Sequence, residues 1–338
     1  MGIVEAGVRG GAMALLLMLA IVLWRDGRGA LATRFAALFC VGAAANLIAT
    51  APALAGPHLW IAPIRVFASG NPLVFLVTSL ALFDDDFRPT WPYAVGWAVL
   101  VAFNLAGSFL TVPGRFLPAV GLALVFVCAA IWRAAAGRAG DLVEARRRLR
   151  LVFVFAVGLY TAASILSSIP FHAGRGGAVQ TFADAVGNLV LTFGFGLALV
   201  RLAPDLFAAG RAARTAARED PQAASLLAAL ERQMNENRAY REEALSIAVL
   251  AARLGVPEYR LRRLINQHLG HRNFAAFVNG YRLNEVTAAL ADASQAEVPI
   301  ITIALDAGFQ SLGPFNRAFK LRTGVTPTEY RRAHVAAA

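Results

Sequence analysis

Lysine is almost missing from this chain. Lys320 is the only one among 32 lysines and arginines, so a formal net charge of +11 over 338 residues is carried by arginine. Cysteine is scarce as well: Cys40 and Cys128 both lie inside apolar runs, which argues against a disulfide framework or a CxxC metal site. Charged residues make up only 16% against 58% hydrophobic, far from the usage of a soluble globular domain. The signatures of catalysis are missing too. There is no HExxH zinc helix, no GxxxxGKS/T phosphate loop, no GxSxG elbow and no cysteine with a base at hand, so the expectation is a non-enzyme without a cofactor. His268 and His271 flank Gly270 with no thiolate nearby, too sparse for a metal. Asp84, Asp85 and Asp86 read as a solvated charge run at a helix end rather than a metal cage.

What is present divides into two parts suited to two solvents. Apolar runs fall near Gly7 to Trp24, Leu31 to Leu54, Leu59 to Phe83, Trp91 to Val112, Phe116 to Ile131, Leu151 to Ile169 and Val179 to Leu202. Several reach bilayer-spanning length, so residues 1–204 are expected to form a bundle of about seven membrane helices, with six or eight crossings open because the third run holds Pro63 and Pro72 and the fifth is short. The first run lacks a basic start and reads as an uncleaved span rather than a signal peptide. Alternate gaps hold Arg25, Arg28, Arg34, Arg88, Arg133, Arg138, Arg146, Arg147, Arg148, Arg150 and Arg201, against Arg9, Arg65, Arg115 and Arg175 elsewhere. Arginine-rich gaps stay in the cytoplasm, so the expected location is the inner membrane with the N-terminus outside and the C-terminus inside.

From Asp205 onward 17 basic residues face 13 acidic ones, a mildly basic soluble part. Residues 205–240 read as a linker and first helix. Arg211, Arg214 and Arg218 are placed to lie against anionic headgroups or to stay solvated. Asp220-Pro221 resembles a helix start, and Leu226, Leu227, Leu230 and Met234 follow at helical spacing. That stripe suits either a homodimer seam or the core of its own domain.

Residues 241–338 contain one pattern twice. Ile300 to Asp306 is a short apolar helix broken at Ala307-Gly308, where glycine permits the left-handed turn, and restarting after Ser311 as a cap: a helix-turn-helix over 300–323. Residues 247–269 repeat it. Leu250, Ala251 and Gly255 match Ile303, Ala304 and Gly308 at a shift of 53, and Leu261, Arg263, Ile265 and Gly270 match Phe315, Arg317, Phe319 and Gly324 at 54. Asn273 to Ala291 is expected as one helix between the copies, about 28 Å long at 1.5 Å per residue, close to one duplex turn.

These residues, with the Gly324-Val-Thr-Pro327 and Tyr330-Arg331 tail, resemble the DNA-binding domain of the AraC/XylS family of bacterial transcription regulators over about the last third of the chain. The resemblance implies an all-helical module with two helix-turn-helices joined by a long helix, promoter DNA as partner, and RNA polymerase as a further one. It also implies that Tyr259, Arg262 and Arg263 face the groove. Arg260 reads as a phosphate contact or a solvated group, and Asn266 completes the candidate set on that helix. In the second copy Phe315 and Phe319 are expected to be buried, which leaves Ser311, Asn316, Arg317 and Lys320 for DNA: Asn for adenine, Arg for guanine, Lys for phosphate. Leu312-Gly313-Pro314 departs from the polar residues many family members carry there, so fewer side chains reach bases.

In the apolar part His58, Arg65, Asn71, His172, Asp184 and Asn188 lie in the outer half. Ionisable groups there face a cavity or one another, so Arg65 and Asp184 are candidates for an ion pair that takes an unknown small-molecule or envelope signal. The fold class read from sequence is therefore all-α, a seven-helix transmembrane bundle followed by a double helix-turn-helix domain, acting as a membrane-embedded transcription regulator. Two other classes stay open. One is a transporter or channel regulated by its tail, which predicts polar residues through the inner half of the bundle, and few are there. The other is a regulator held by a passive anchor.

Overall fold

The computed structural model describes residues 2–26, 30–54, 59–84, 87–109, 114–137, 140–143, 147, 154–166, 177–207 and 221–335. Among these the chain is all-helical, and two backbone strands meet only at an isolated antiparallel bridge between Asp141 and Asn273. The chain splits into two compact units: unit 1 is Met1–Arg138 with Ala145–Phe207, and unit 2 is Ala139–Glu144 with Ala208–Ala338. The boundary after Phe207 lies close to that expected after residue 204. The inclusion of 139–144 in unit 2 has no precedent in the sequence reading. Arg211, Arg214, Arg218, His58 and His172 lie outside the described residues.

Unit 1 contains α1 (Gly2–Asp26), α2 (Leu31–Ala49), α3 (Ala62–Ser69), α4 (Asn71–Phe83), α5 (Trp91–Phe109), α6 (Leu117–Ala136), α7 (Val154–Leu166) and α8 (Ala178–Phe207). Among the described residues each of the seven apolar runs contains a helix, and that of the third is broken in two. Of the described helices, α1, α2 and α6 are long and apolar enough to cross a membrane, and α3 with α4 makes a fourth if that pair, bent by 43°, is one span. The expected count of seven crossings is thus met for three or four helices by length and composition. The bend falls at Gly70, before Asn71-Pro72: proline has no N–H to continue the ladder. Among the described residues three apolar cores lie in the unit, the smallest joining α5 and α6 through Leu100, Ala119 and Ala123. Of the larger two, one joins α1 and α2 through Leu16, Ala37, Cys40 and Leu47; the other joins α4, α6 and α7 through Phe75, Val127 and Val154.

Unit 2 carries α9 (Pro221–Asn235), α10 (Ile247–Arg253), α11 (Glu258–Gln267), α12 (Phe274–Ala291), α13 (Ile300–Asp306), α14 (Leu312–Thr323) and α15 (Pro327–Val335). Its 18-residue α12 is about 27 Å long at 1.5 Å per residue and serves two cores in succession. Phe274, Phe277 and Val278 pack with α9, α10 and α11; Leu283, Val286 and Leu290 pack with α13 and α14. Leu230 and Met234 are fully buried in the first core, with Leu226 and Leu227 against it, so the α9 stripe packs on its own domain.

Candidate nucleic-acid interface

The repeat found in the sequence is a repeat of structure at every matched position. Leu250 with Ala251, and Ile303 with Ala304, are buried in the middle of each first helix; Leu261 with Ile265, and Phe315 with Phe319, form the inner face of each second helix. Arg263 and Arg317 both point out. Gly255 and Gly308 turn with φ of 66° and 96°, and Gly270 and Gly324 close the second helices with φ of 75° and 80°. The two copies are fastened differently. Ser246 Oγ accepts from Val249 N–H at 3.2 Å at the start of α10, whereas Ser311, placed at the start of α14, makes no side-chain capping bond and is exposed. Ser311 is therefore free for another acceptor or donor.

Residues 238–243 tie the copies together. Arg282 of α12 donates to the Tyr240 carbonyl at 2.6 Å and the Glu242 carbonyl at 2.8 Å, Arg241 forks onto Glu285, and Gln310 donates to the Glu243 carbonyl at 3.1 Å. Arg253 takes Glu242 through both terminal nitrogens at 2.6 Å. Four arginine-rich contacts of this kind fix the spacing of two short helices that could not hold it alone. The tail is structural in the same sense. Thr326 and Glu329 form a reciprocal capping box at the start of α15, and Tyr330 packs edge-on against Phe319 at 5.4 Å.

On α11 the exposed side chains are Glu258, Tyr259, Arg260 and Arg263, with Tyr259 65% exposed. Arg263 donates to Gln267 at 2.8 Å, along the same helix face, and Arg260 reaches Gln222 at 3.4 Å. Arg262 differs from expectation: it is 7% exposed and gripped by Glu258 one turn earlier, because its position repeats with Leu261 and Ile265 on the side turned to the core. Asn266 is also committed elsewhere, donating to the His271 carbonyl at 2.9 Å to close the turn after α11. On α14 Asn316, Arg317 and Lys320 are all exposed, as expected, and Pro314 sits in the first turn where its missing N–H costs no helix bond. Arg322, which charge alone would place with them, is turned back onto α12, donating to the Gly280 carbonyl at 2.9 Å and to Asn284. Sequence spacing gives no signal for that.

Two kinds of titrating group make unit 2 sensitive to acid. His271 stacks edge-on with Phe277 at 5.4 Å, and burial lowers its pKa from the ordinary 6.5. The hydrogen bonds from Arg253 hold Glu242 below the usual carboxylate range; burial pushes Glu285 up, but bonds from Arg241 and Tyr240 outweigh it and leave it lowered. A lowered folded pKa means stability that is complete above the unfolded value and is lost as pH falls through the folded one. Unit 2 should therefore lose stability first below about pH 6.5, from His271, and again below the ordinary carboxylate range near 4.5. In His271→Asn the first of these two losses should vanish from denaturation midpoints measured between pH 7.5 and 5, while the second persists.

Unit 1 holds a cavity with several polar side chains in its lining. Its volume is about 490 Å³, and Arg65, Asn71, Tyr160, Asp184 and Asn188 are among the residues that line it. Tyr160 OH donates to the Asp184 carbonyl at 2.7 Å and accepts from Asn188 at 2.6 Å, and Ser164 is hydrogen-bonded to the Asp184 carboxylate. The Tyr160 ring fits because position 187 is glycine: a Cβ there would lie 2.4 Å from it. Arg65 and Asp184 share the cavity but do not form the expected ion pair. Arg65 donates to the Leu54 carbonyl at 2.8 Å, and the arginine whose charge acts on Asp184 is Arg9. Sequence reading missed Arg9 because α1 carries it alone in an apolar run; its use is visible only once α2 and α8 are packed beside it.

Two successive helix-turn-helix units, sharing one long helix, define the class of this domain. Residues 250–333 match the family model described as a helix-turn-helix domain. Over 92 residues the chain is 34% identical to the right origin-binding protein of Escherichia coli strain K12 and, to the same extent, to the transcriptional regulator Rob of Salmonella typhimurium strain LT2. The aligned stretch is 27% of this chain and 30% of each relative, so the chain spans less than a third of the curated relatives it matches. These similarities support a helix-turn-helix DNA-binding module at the C-terminus. No solved structure matches the chain.

Proposed function

We propose that the chain is a membrane-embedded transcription regulator of AraC/XylS type, reading double-stranded DNA through unit 2 and receiving a signal through unit 1. The observation that carries the reading is the pair of second helices, α11 and α14, each with a buried apolar face and exposed donors on the other: Tyr259, Arg260 and Arg263 on one, Asn316, Arg317 and Lys320 on the other. The second helix of this motif enters the major groove, and α12, about 27 Å long at 1.5 Å per residue, is of a length suited to holding two readers for consecutive groove faces. A relative described as a transcriptional regulator and others as origin-binding are in keeping with this.

Membrane embedding is supported by the three or four span-length helices and by Trp24, Trp91 and Trp132, which stand exposed near ends of α1, α5 and α6 as interfacial anchors do. The orientation with unit 2 in the cytoplasm gains support from residues 139–144. They come from an arginine-rich gap expected to be cytoplasmic, and they belong to unit 2, which is in keeping with a cytoplasmic unit 2. The cavity holding Arg65, Asp184 and Asn188 is the candidate signal site, because it gathers several polar side chains within an otherwise apolar lining.

The test is selection of duplexes from a random pool by the full chain in lipid nanodiscs. Arg263→Ala and Arg317→Ala should each weaken the selected duplex by about 1 to 3 kcal/mol and relax preference at one base pair. Lys320→Ala should lower affinity evenly across sequences and reduce the salt dependence. If both arginine variants bind as tightly as the parent, the assignment of contacts fails.

A further inference from the structure

One short piece of the chain sits apart from its sequence neighbours. Ala139–Glu144 belongs to unit 2, while the residues before and after it belong to unit 1. Within it, Gly140 to Leu142 run antiparallel to Arg272 to Phe274: Leu142 N–H donates to the Arg272 carbonyl at 3.1 Å, and Phe274 N–H donates to the Gly140 carbonyl at 2.9 Å. The second bond serves a specific need. Phe274 is the first residue of α12, and amides in a first turn have no partner within their own helix. Leu142 is 3% exposed and packs into the same core as Leu261, Leu264 and Phe274. Asp141 is 2% exposed and opposes Asn273, the cap of α12, so its negative charge lies by the positive end of that helix. An apolar anchor plus paired main-chain bonds is the arrangement by which an extended segment docks on a domain.

We propose that Ala139–Glu144 is a strap, supplied by the gap between α6 and α7, whose seating keeps the first helix-turn-helix competent for DNA. Its release disarms that reader. The inference rests on the DNA-binding reading of unit 2. The strap grips the turn from Gly270 to Asn273 that sets α11 against α12, a turn also held by the bond from Asn266 to the His271 carbonyl and by main-chain bonds from Gly270 to Asn266 and from His271 to Ile265. Unseating the strap leaves the first amide of α12 without its acceptor and opens an apolar slot beneath α11. The second helix-turn-helix has a separate core and keeps its fold. Because both ends of the strap continue into unit 1, its seating is under the control of that unit, which gives the apolar part of the chain a direct hold on one reader of the two.

The full chain in nanodiscs, with Cys40→Ala and Cys128→Ala, allows two independent tests. Asp141 and Asn273 are the non-hydrogen-bonded pair of the bridge, where side chains approach closely. Asp141→Cys with Asn273→Cys should form a disulfide on mild oxidation, seen as a chain that stays whole after cleavage at a protease site placed in residues 208–220. Separately, Leu142→Asp should speed hydrogen exchange at the start of α12 by at least tenfold and weaken the duplex selected by the parent by at least tenfold, with α13 and α14 exchanging as before and Leu142→Met behaving as the parent. The strap is overturned if the disulfide does not form in folded protein, or if Leu142→Asp changes neither exchange nor binding. Faster exchange with unchanged DNA affinity would overturn the regulatory role. If the parent itself selects no duplex, the DNA-binding reading fails, while the disulfide and exchange still report whether the strap is seated.

Discussion

Gly308→Ala is expected to destabilise the second helix-turn-helix by about 3 to 5 kcal/mol, several times the effect of Gly255→Ala, although the two glycines occupy matching turns. Both have positive φ, 96° and 66°, so each substitution carries the strain of a left-handed residue with a side chain, about 1 to 2 kcal/mol. The difference lies in what the new methyl group meets. At Gly255 there is open space; at Gly308 a Cβ would stand 2.6 Å from the Arg241 carbonyl oxygen and 2.7 Å from that of Tyr240. Neither carbonyl can retreat cheaply. Tyr240 holds its carbonyl against Arg282, and Arg241 is forked onto Glu285. Hydrogen exchange by mass spectrometry on the full chain should show α13 and α14 opening in Gly308→Ala with α10 and α11 little changed. Equal effects from the two variants would mean that residues 238–243 do not clamp the second turn.

Arg9→Met is expected to cost unit 1 about 3 to 5 kcal/mol, because it strands a buried carboxylate. Arg9 is 8% exposed and pairs with Glu5, itself 6% exposed, at 3.1 Å. It also donates to the Leu47 carbonyl at 2.8 Å, to Thr50 at 3.1 Å and to the Thr181 carbonyl at 3.0 Å, so one side chain of α1 satisfies the C-terminal end of α2 and the start of α8. Removing the cation alone leaves Glu5 without its partner. Glu5→Gln combined with Arg9→Met should recover part of the loss, since no charge is then left buried. Thermal unfolding in detergent should rank parent, double variant and Arg9→Met in that order. A double variant no better than the single one would show that the carbonyl contacts, and not the ion pair, carry the stability.

The repeat was readable because both copies obey the same local rules. Apolar residues at 3.6 spacing, a glycine in the turn and an arginine on the outer face recur at shifts of 53 and 54, and burial confirms each at its place. Recognition-helix chemistry was readable only in part. Tyr259, Arg263, Asn316, Arg317 and Lys320 are exposed as expected, but Arg262 and Asn266 are drawn into local bonds with Glu258 and His271, and nothing in residue type separates a groove-facing arginine from one held by a carboxylate a turn away. In unit 1, Arg65, Asn71, Asp184 and Asn188 line one cavity, while Arg65 bonds to the Leu54 carbonyl and the arginine whose charge acts on Asp184 is Arg9, a pairing set by helix order and not by hydropathy.

By itself the sequence determined the elements of this protein: apolar runs that must be helical, a doubled helix-turn-helix, and turns that only glycine fits. These are properties of neighbours within about ten residues, where backbone sterics and periodicity act directly. Only the tertiary structure decided the long-range pairings, Arg9 with α2 and α8, residues 238–243 with the second turn, and Leu142 with the core under α11. Each joins groups more than 35 residues apart, and such contacts are selected by shape and by the need to satisfy buried polar groups, for which a linear pattern carries no sign.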